Sequence, residues 1–166
     1  SSETEISLDE AKQFHAAFFK LYRNYRPYHS KLWKRADREF RENGEVLLKT
    51  RSGRVRRLTE DDMRYKSKQD PSKKWPRKTV GYNTPVQSLA SDGLKQALFL
   101  LWPHLKALGA RPVNIVHDEI IIECRKDVAA EMSGRLEDCM VRGMERYLKK
   151  VPVVVEAKIA DSWAGK

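Results

Sequence analysis

The stretch Val113-Asn114-Ile115-Val116-His117-Asp118-Glu119-Ile120-Ile121-Ile122-Glu123 sets three adjacent polar residues between two apolar, β-branched runs. β-Branched side chains favour extended backbone, and Asp tolerates turn geometry, so the pattern predicts a strand, a tight corner at His117-Asp118 and a second strand. Asp118 and Glu119 are then presented by a stiff hairpin. A carboxylate pair on a rigid scaffold suits a hard divalent cation such as Mg2+, which prefers oxygen ligands. A hairpin whose polar corner faces water is the other reading, and these eleven residues leave both open.

Outward from this stretch, composition narrows the partners. The chain has 166 residues, enough for a real core, with 34% charged residues and a formal net charge of +10. The excess is uneven: residues 1–80 carry 21 Lys and Arg against 12 Asp and Glu, while residues 81–166 carry 12 against 11. A field concentrated in one half favours an extended polyanion, because each neutralised phosphate releases condensed counterions. An anionic membrane surface fits less well, since no basic helix with a large apolar face stands out. Cys124 and Cys139 lie in no CxxC or Cys/His cluster, which speaks against zinc. Few cysteines, no signal peptide and no apolar run near 18 residues read as a soluble protein of a reducing compartment. The chain starts Ser-Ser without Met, which reads as a processed or engineered start, or as a piece of something longer.

Local patterns place the elements. Ser7 with Glu10 is a capping-box pattern, and Phe14, Phe18, Leu21 and Tyr25 form one apolar stripe behind it, predicting a helix from Ser7 to about Tyr25. A second helix is expected from Pro27 to Asn43, with Leu32, Trp33, Ala36 and Phe40 inward and Asn43-Gly44 as its stop. Core packing is the expected role of the aromatics on both helices, ahead of base stacking. Val46-Leu48 and Val55-Leu58 flank a turn with Arg51, Arg54, Arg56 and Arg57 at or near its tip. That tip is either a phosphate-binding element or a solvated edge guarded by charge. Thr59 to Lys78, polar and holding Pro71 and Pro76, reads as a long mobile loop.

Asn83-Thr84-Pro85-Val86-Gln87 predicts a helix start, with Leu89, Leu94, Leu98 and Leu101 as its apolar face and an end or kink at Pro103. A further helix is expected from about Asp127, and Val153 to Ile159 as a buried strand beside the hairpin. The fold class is therefore α+β: helices packed on a small antiparallel sheet, with a basic helical and hairpin segment ahead of it.

The order of these pieces resembles the C-terminal end of a family A DNA polymerase, the bacterial DNA polymerase I type. A segment of the form Asn-x-Pro-x-Gln (Asn83, Pro85, Gln87) precedes Val116-His117-Asp118-Glu119, a helix and a terminal strand follow, and Trp163 lies near the chain end. Glu10-Ala11 with Phe18-Phe19 and Tyr25, and Thr50 with Gly53-Arg54-Val55-Arg56, resemble the family's fingers-side helix and basic hairpin. The resemblance implies fingers-side helices, basic hairpin and loop in residues 1–80, and a palm portion with the catalytic hairpin in residues 81–166. It implies that Asp118 ligates the catalytic metal, with Glu119 a supporting carboxylate, and that the complete site holds two Mg2+ ions. His117 would approach the primer terminus, Gln87 and Asn83 the primer-template, and Arg54 and Arg56 would bind DNA. The partners implied are primer-template DNA, a dNTP and an N-terminal polymerase portion on the same or a separate chain, with no membrane. The setting is the cytoplasm of a bacterial or phage-infected cell, or an organelle.

The sequence departs from the family at Thr79, where an Arg is usual; Arg77 and Lys78 stand nearby. The family's other metal-binding Asp and its triphosphate-gripping helix belong to segments upstream of Ser1. The chain alone is accordingly expected to polymerise nothing. A non-catalytic nucleic-acid-binding module derived from a polymerase is the alternative, and it predicts salt-sensitive DNA binding indifferent to Asp118. A metal-dependent phosphodiesterase using Asp118, Glu119 and Glu123 is a third, weakened because Glu123 lies far along an extended strand from the corner.

Overall fold

Ser7 begins the first helix as its pattern predicts. In the computed structural model, which describes residues 6–66 and 74–163, the Glu10 N–H donates to the Ser7 hydroxyl at 3.2 Å and the Ser7 N–H donates to the Glu10 carboxylate at 2.8 Å. That reciprocal cap opens α1 (Leu8–Leu21). α2 (Tyr25–Asn43) starts two residues before Pro27, which therefore sits in the first turn, where its missing N–H is harmless. Gly44 ends it at φ 74°, a left-handed conformation that Gly adopts without steric cost, and donates its N–H to the Phe40 carbonyl at 2.8 Å.

The chain divides into two compact units, Ser1–Leu48 with Arg57–Thr84, and Lys49–Arg56 with Pro85–Lys166. The first is built around Ala36, Val46, Leu58 and Met63, with Trp33, Phe40, Leu48 and Val80 packed against them. β1 (Val46–Lys49) pairs with β2 (Val55–Leu58), and each contributes one fully buried side chain, Val46 and Leu58. The expected mobile loop after Leu58 is instead ordered at both ends. Thr59 and Asp62 form a second capping box at the start of α3 (Glu60–Met63), which buries Met63. β3 (Arg64–Lys66) then runs antiparallel to β4 (Lys74–Pro76). The polar composition hid a Thr-x-x-Asp cap and one deep apolar anchor; residues 67–73 lie outside the described residues.

Core packing does not hold for α1. None of its residues is buried, and Phe14 and Leu21 are 71% and 73% exposed. Its rings contact one another instead: Phe18 lies 4.8 Å from Tyr22 and 5.5 Å from Tyr25 between centroids, and the Arg26 guanidinium sits 4.3 Å from the centre of Phe19. A 3.6-residue stripe states that a helix has an apolar face, not that its own chain covers it.

α4 (Lys78–Ala107) begins five residues before the expected opening at Asn83 and runs through both Pro85 and Pro103, so it does not end at the second. Pro85 cannot donate to the Gly81 carbonyl, a loss that packing on both sides offsets. Before it, Trp33 lies so close that a β-carbon on Gly81 would sit 3.2 Å from the ring. After it, Ala97, Leu101 and Leu105 join Ile120, Met132 and Cys139 in the core of the second unit. α5 (Ala129–Glu145), entered through a short 3-10 turn at Lys126–Val128, supplies Met132 and Cys139. Burial first, then the neighbouring Asp138 carboxylate, pushes the Cys139 thiol above its ordinary pKa. Alkylation of the native chain is expected to spare Cys139 until unfolding; rapid native labelling seen by mass spectrometry would contradict this packing.

β5 (Arg111–Val116) and β6 (Glu119–Glu123) form the third two-stranded antiparallel ladder, with Ile115 opposite Ile120 and Val116 opposite Glu119. The whole is α+β. Residues 153–159, expected as a buried strand, join no ladder among the described residues. Val154 is 87% exposed, and the Ala157 N–H donates to the Glu137 carboxylate on α5 at 2.8 Å. β-Branched residues favour extended backbone, but a strand also needs a neighbouring edge, and here a side chain takes one of its donors.

Candidate metal and nucleic-acid site

The corner of the β5–β6 ladder is the two-residue turn His117-Asp118 that the sequence predicts. His117 has φ 55°, the one non-glycine residue with positive φ among those described. His is among the residues that enter this left-handed region more readily than most, yet the conformation still costs about 1 kcal/mol or more. The ladder on both sides holds it there. Register shifts between Pro112 and Asn114, leaving Val113 unpaired.

Asp118 is exposed at this corner, and no hydrogen-bond or ion-pair partner is found for it among the described residues. Glu119, the first residue of β6, is half-buried. Both supply hard oxygen donors, which fit Mg2+ by type. They fit it only in part by number, because among the described residues no group of three or more His, Cys, Asp and Glu could hold a metal ion. Glu123 adds nothing to this corner: it sits at the far end of the ladder, paired with Arg111 at 3.0 Å.

The basic turn between β1 and β2 sorts its arginines. Arg51 donates to the Tyr147 carbonyl at 2.6 Å, just past the end of α5, where a cation also suits the helix dipole. Arg57 pairs with Glu45. Arg54 donates through Nε to Asp92 at 2.5 Å and through Nη2 to the Ser88 carbonyl at 3.4 Å. Arg56 is exposed with no such partner among the described residues. Asn83 and Gln87 are both exposed on α4, Asn83 in the first unit and Gln87 in the second.

Sequence reasoning missed Asp92. It is only 3% exposed and accepts hydrogen bonds from Ser52 at 2.6 Å and from Arg54. Its burial pushes the carboxyl pKa up, but the hydrogen bonds from Ser52 and Arg54, with the Arg54 charge, more than offset that and hold it below the ordinary carboxylate value. A signal was present: Thr84, Ser88 and Asp92 recur every four residues along α4, and all three are buried. A polar line at helical spacing marks a second contact face as surely as a line of leucines does.

The chain belongs to DNA polymerase family A, whose model matches residues 1–165. It is 34% identical over 161 residues to DNA polymerase I of Aquifex aeolicus (strain VF5), an alignment covering 96% of this chain and 24% of that protein. It is 32% identical over 163 residues to the thermostable DNA polymerase I of Thermus aquaticus, covering 98% of this chain and 18% of that protein. Among solved structures, the POL domain of Pol1 from M. smegmatis, in complex with DNA primer-template and dNTP, superposes with a TM-score of 0.57 at 25% identity, over 85% of this chain and 23% of that one. The chain thus spans about a quarter or less of the length of these relatives.

Proposed function

We propose that this chain is the C-terminal palm and fingers-side portion of a DNA-directed DNA polymerase, with residues 1–80 on the fingers side and residues 81–166 carrying the palm hairpin. The observation that carries the reading is Asp118: an exposed carboxylate with no protein partner among the described residues, aimed by a rigid two-residue corner. In the complete enzyme Asp118 is the metal ligand and Glu119 supports it. Held by these carboxylates, Mg2+ would supply positive charge at the primer 3′-hydroxyl and the leaving pyrophosphate. His117 approaches the primer terminus, Gln87 and Asn83 face the primer-template, and Arg54 and Arg56 meet backbone phosphate. Two carboxylates on one corner are too few for two ions, so an upstream polymerase portion supplies the rest and the chain alone is inactive. The reading places its action with the DNA, in the cytoplasm; among the described residues no helix is long and apolar enough to cross a membrane.

Mixing the chain with a separately produced upstream portion of a family A polymerase is expected to yield Mg2+-dependent primer extension that neither part gives alone. Extension that is no greater with the chain than without it removes the catalytic assignment. Salt-sensitive DNA binding would then leave the non-catalytic module standing.

A further inference from the structure

The buried carboxylate of Asp92 has no part in metal binding, yet two side chains of the basic turn converge on it. Ser52 and Arg54 donate to its two oxygens at 2.6 and 2.5 Å, and the Thr50 hydroxyl lies 2.8 Å from that of Ser52. The turn itself is closed by Thr50 N–H to the Arg54 carbonyl at 2.8 Å and Gly53 N–H to the Thr50 carbonyl at 3.1 Å. Gly53 has φ 91°, a conformation in which a side chain would be strained, so the turn has one well-defined shape. Asp92 grips that shape from α4, across 38 residues of chain.

We propose that Asp92 is a positioning residue for phosphate binding: it holds Arg54 by its Nε edge, so that the outer guanidinium edge meets a nucleic-acid backbone phosphate with its aim already set. This rests on the nucleic-acid reading above. Arg54 remains 46% exposed, and Nη1 takes no partner among the described residues. A guanidinium offers five N–H donors in a fixed fork, so one edge can be held by a carboxylate while the other binds phosphate. Holding it in advance removes most of the side-chain entropy that a free arginine loses on binding. Arg56, close by on β2 and unheld, is the flexible companion contact.

Two effects compete here, with opposite signs. If Asp92 served only to neutralise Arg54, removing its charge would strengthen the positive field and tighten DNA binding. If it positions Arg54, removing the charge weakens binding, because a misaimed arginine loses a charge-assisted hydrogen bond. With its carboxyl held below the ordinary carboxylate value, Asp92 is ionised at neutral pH, where the comparison is made.

The test is binding of a labelled primer-template duplex to the full 166-residue chain, followed by anisotropy across a salt series. Asp92→Asn and Arg54→Gln are each expected to weaken binding about tenfold and to lower the slope of log affinity against log salt by about 0.9, one phosphate contact. The double variant should fall no further than either single one, a coupling that general loss of stability would not produce. Should Asp92→Asn fail to fold, Ser52→Ala with Thr50→Val removes the hydroxyl that donates to Asp92 and the one bonded behind it, and carries the same expectation. Binding that is unchanged or tighter in these variants overturns the positioning role while leaving the nucleic-acid reading intact. An absence of salt-dependent binding in the unmodified chain, or none lost in Arg56→Gln, overturns that reading and the proposal with it.

Discussion

Asp118→Ala is expected to abolish Mg2+-dependent primer extension by the reassembled polymerase, lowering its rate roughly 10³-fold or more, while leaving the chain folded. On the proposed role the loss is large because the group removed is the principal carboxylate that would hold the cation, leaving Glu119 alone at the corner. Glu123 is held by Arg111 at the other end of the ladder. The fold is indifferent because Asp118 is exposed, and removing an exposed side chain without partners changes stability by about 0.5 kcal/mol or less. Primer extension at increasing Mg2+, beside thermal unfolding of the same variant, separates the two effects. Extension surviving within about tenfold of the unmodified chain, against the metal-site expectation, sinks the assignment.

Gly143→Ala carries the second large effect, on stability. α4 and α5 approach so closely that a β-carbon at Gly143 would lie 2.6 Å from the Ala97 nitrogen and 2.8 Å from both the Ala97 Cα and the Gly93 carbonyl oxygen. Ala is the better helix former by about 1 kcal/mol, so propensity alone predicts stabilisation. The clash decides otherwise: its contacts are backbone atoms of another helix, which cannot swing aside, and overpacking of this kind costs about 1–3 kcal/mol or more. A net loss of about 2 kcal/mol is expected in urea unfolding. Gly134 is the control, on the same helix with nothing within 4 Å of its added β-carbon; Gly134→Ala should stabilise by up to about 1 kcal/mol. Equal effects at both positions would mean that the helices do not cross as described.

Short-range chemistry made much of the chain legible. Ser7 with Glu10, Asn43-Gly44 and the His117-Asp118 corner each act within a few residues, so their patterns fixed a helix start, a helix stop and a hairpin. Pro85 misled because its place as a good first-turn residue is real, yet it is equally tolerable inside a helix packed on both sides of it. The stripe on α1 gave the right local geometry and the wrong burial, and the β-branched run at 153–159 joins no ladder among the described residues, since burial and pairing depend on what else reaches them. Within the candidate site, the exposure of Asp118 followed from its place at a turn. The pairing of Arg54 with Asp92 did not follow, because nothing local joins residues 38 positions apart. The fates of the four arginines show the same limit: one charge-rich turn divides between a helix end, two carboxylates and open solvent according to tertiary placement alone.

The positive φ at His117 also restricts what can replace it. In a saturating library at this position, a screen for folding would retain Gly, Asn and Asp, which enter left-handed backbone readily, and would penalise Val and Ile, whose branched Cβ crowds it. If His117 has the role proposed above, a screen for primer extension would instead retain side chains able to reach the primer end. On that reading the two selections overlap at very few residues, so drift at position 117 would be blocked twice over, by backbone geometry and by side-chain chemistry, and each block is measurable separately.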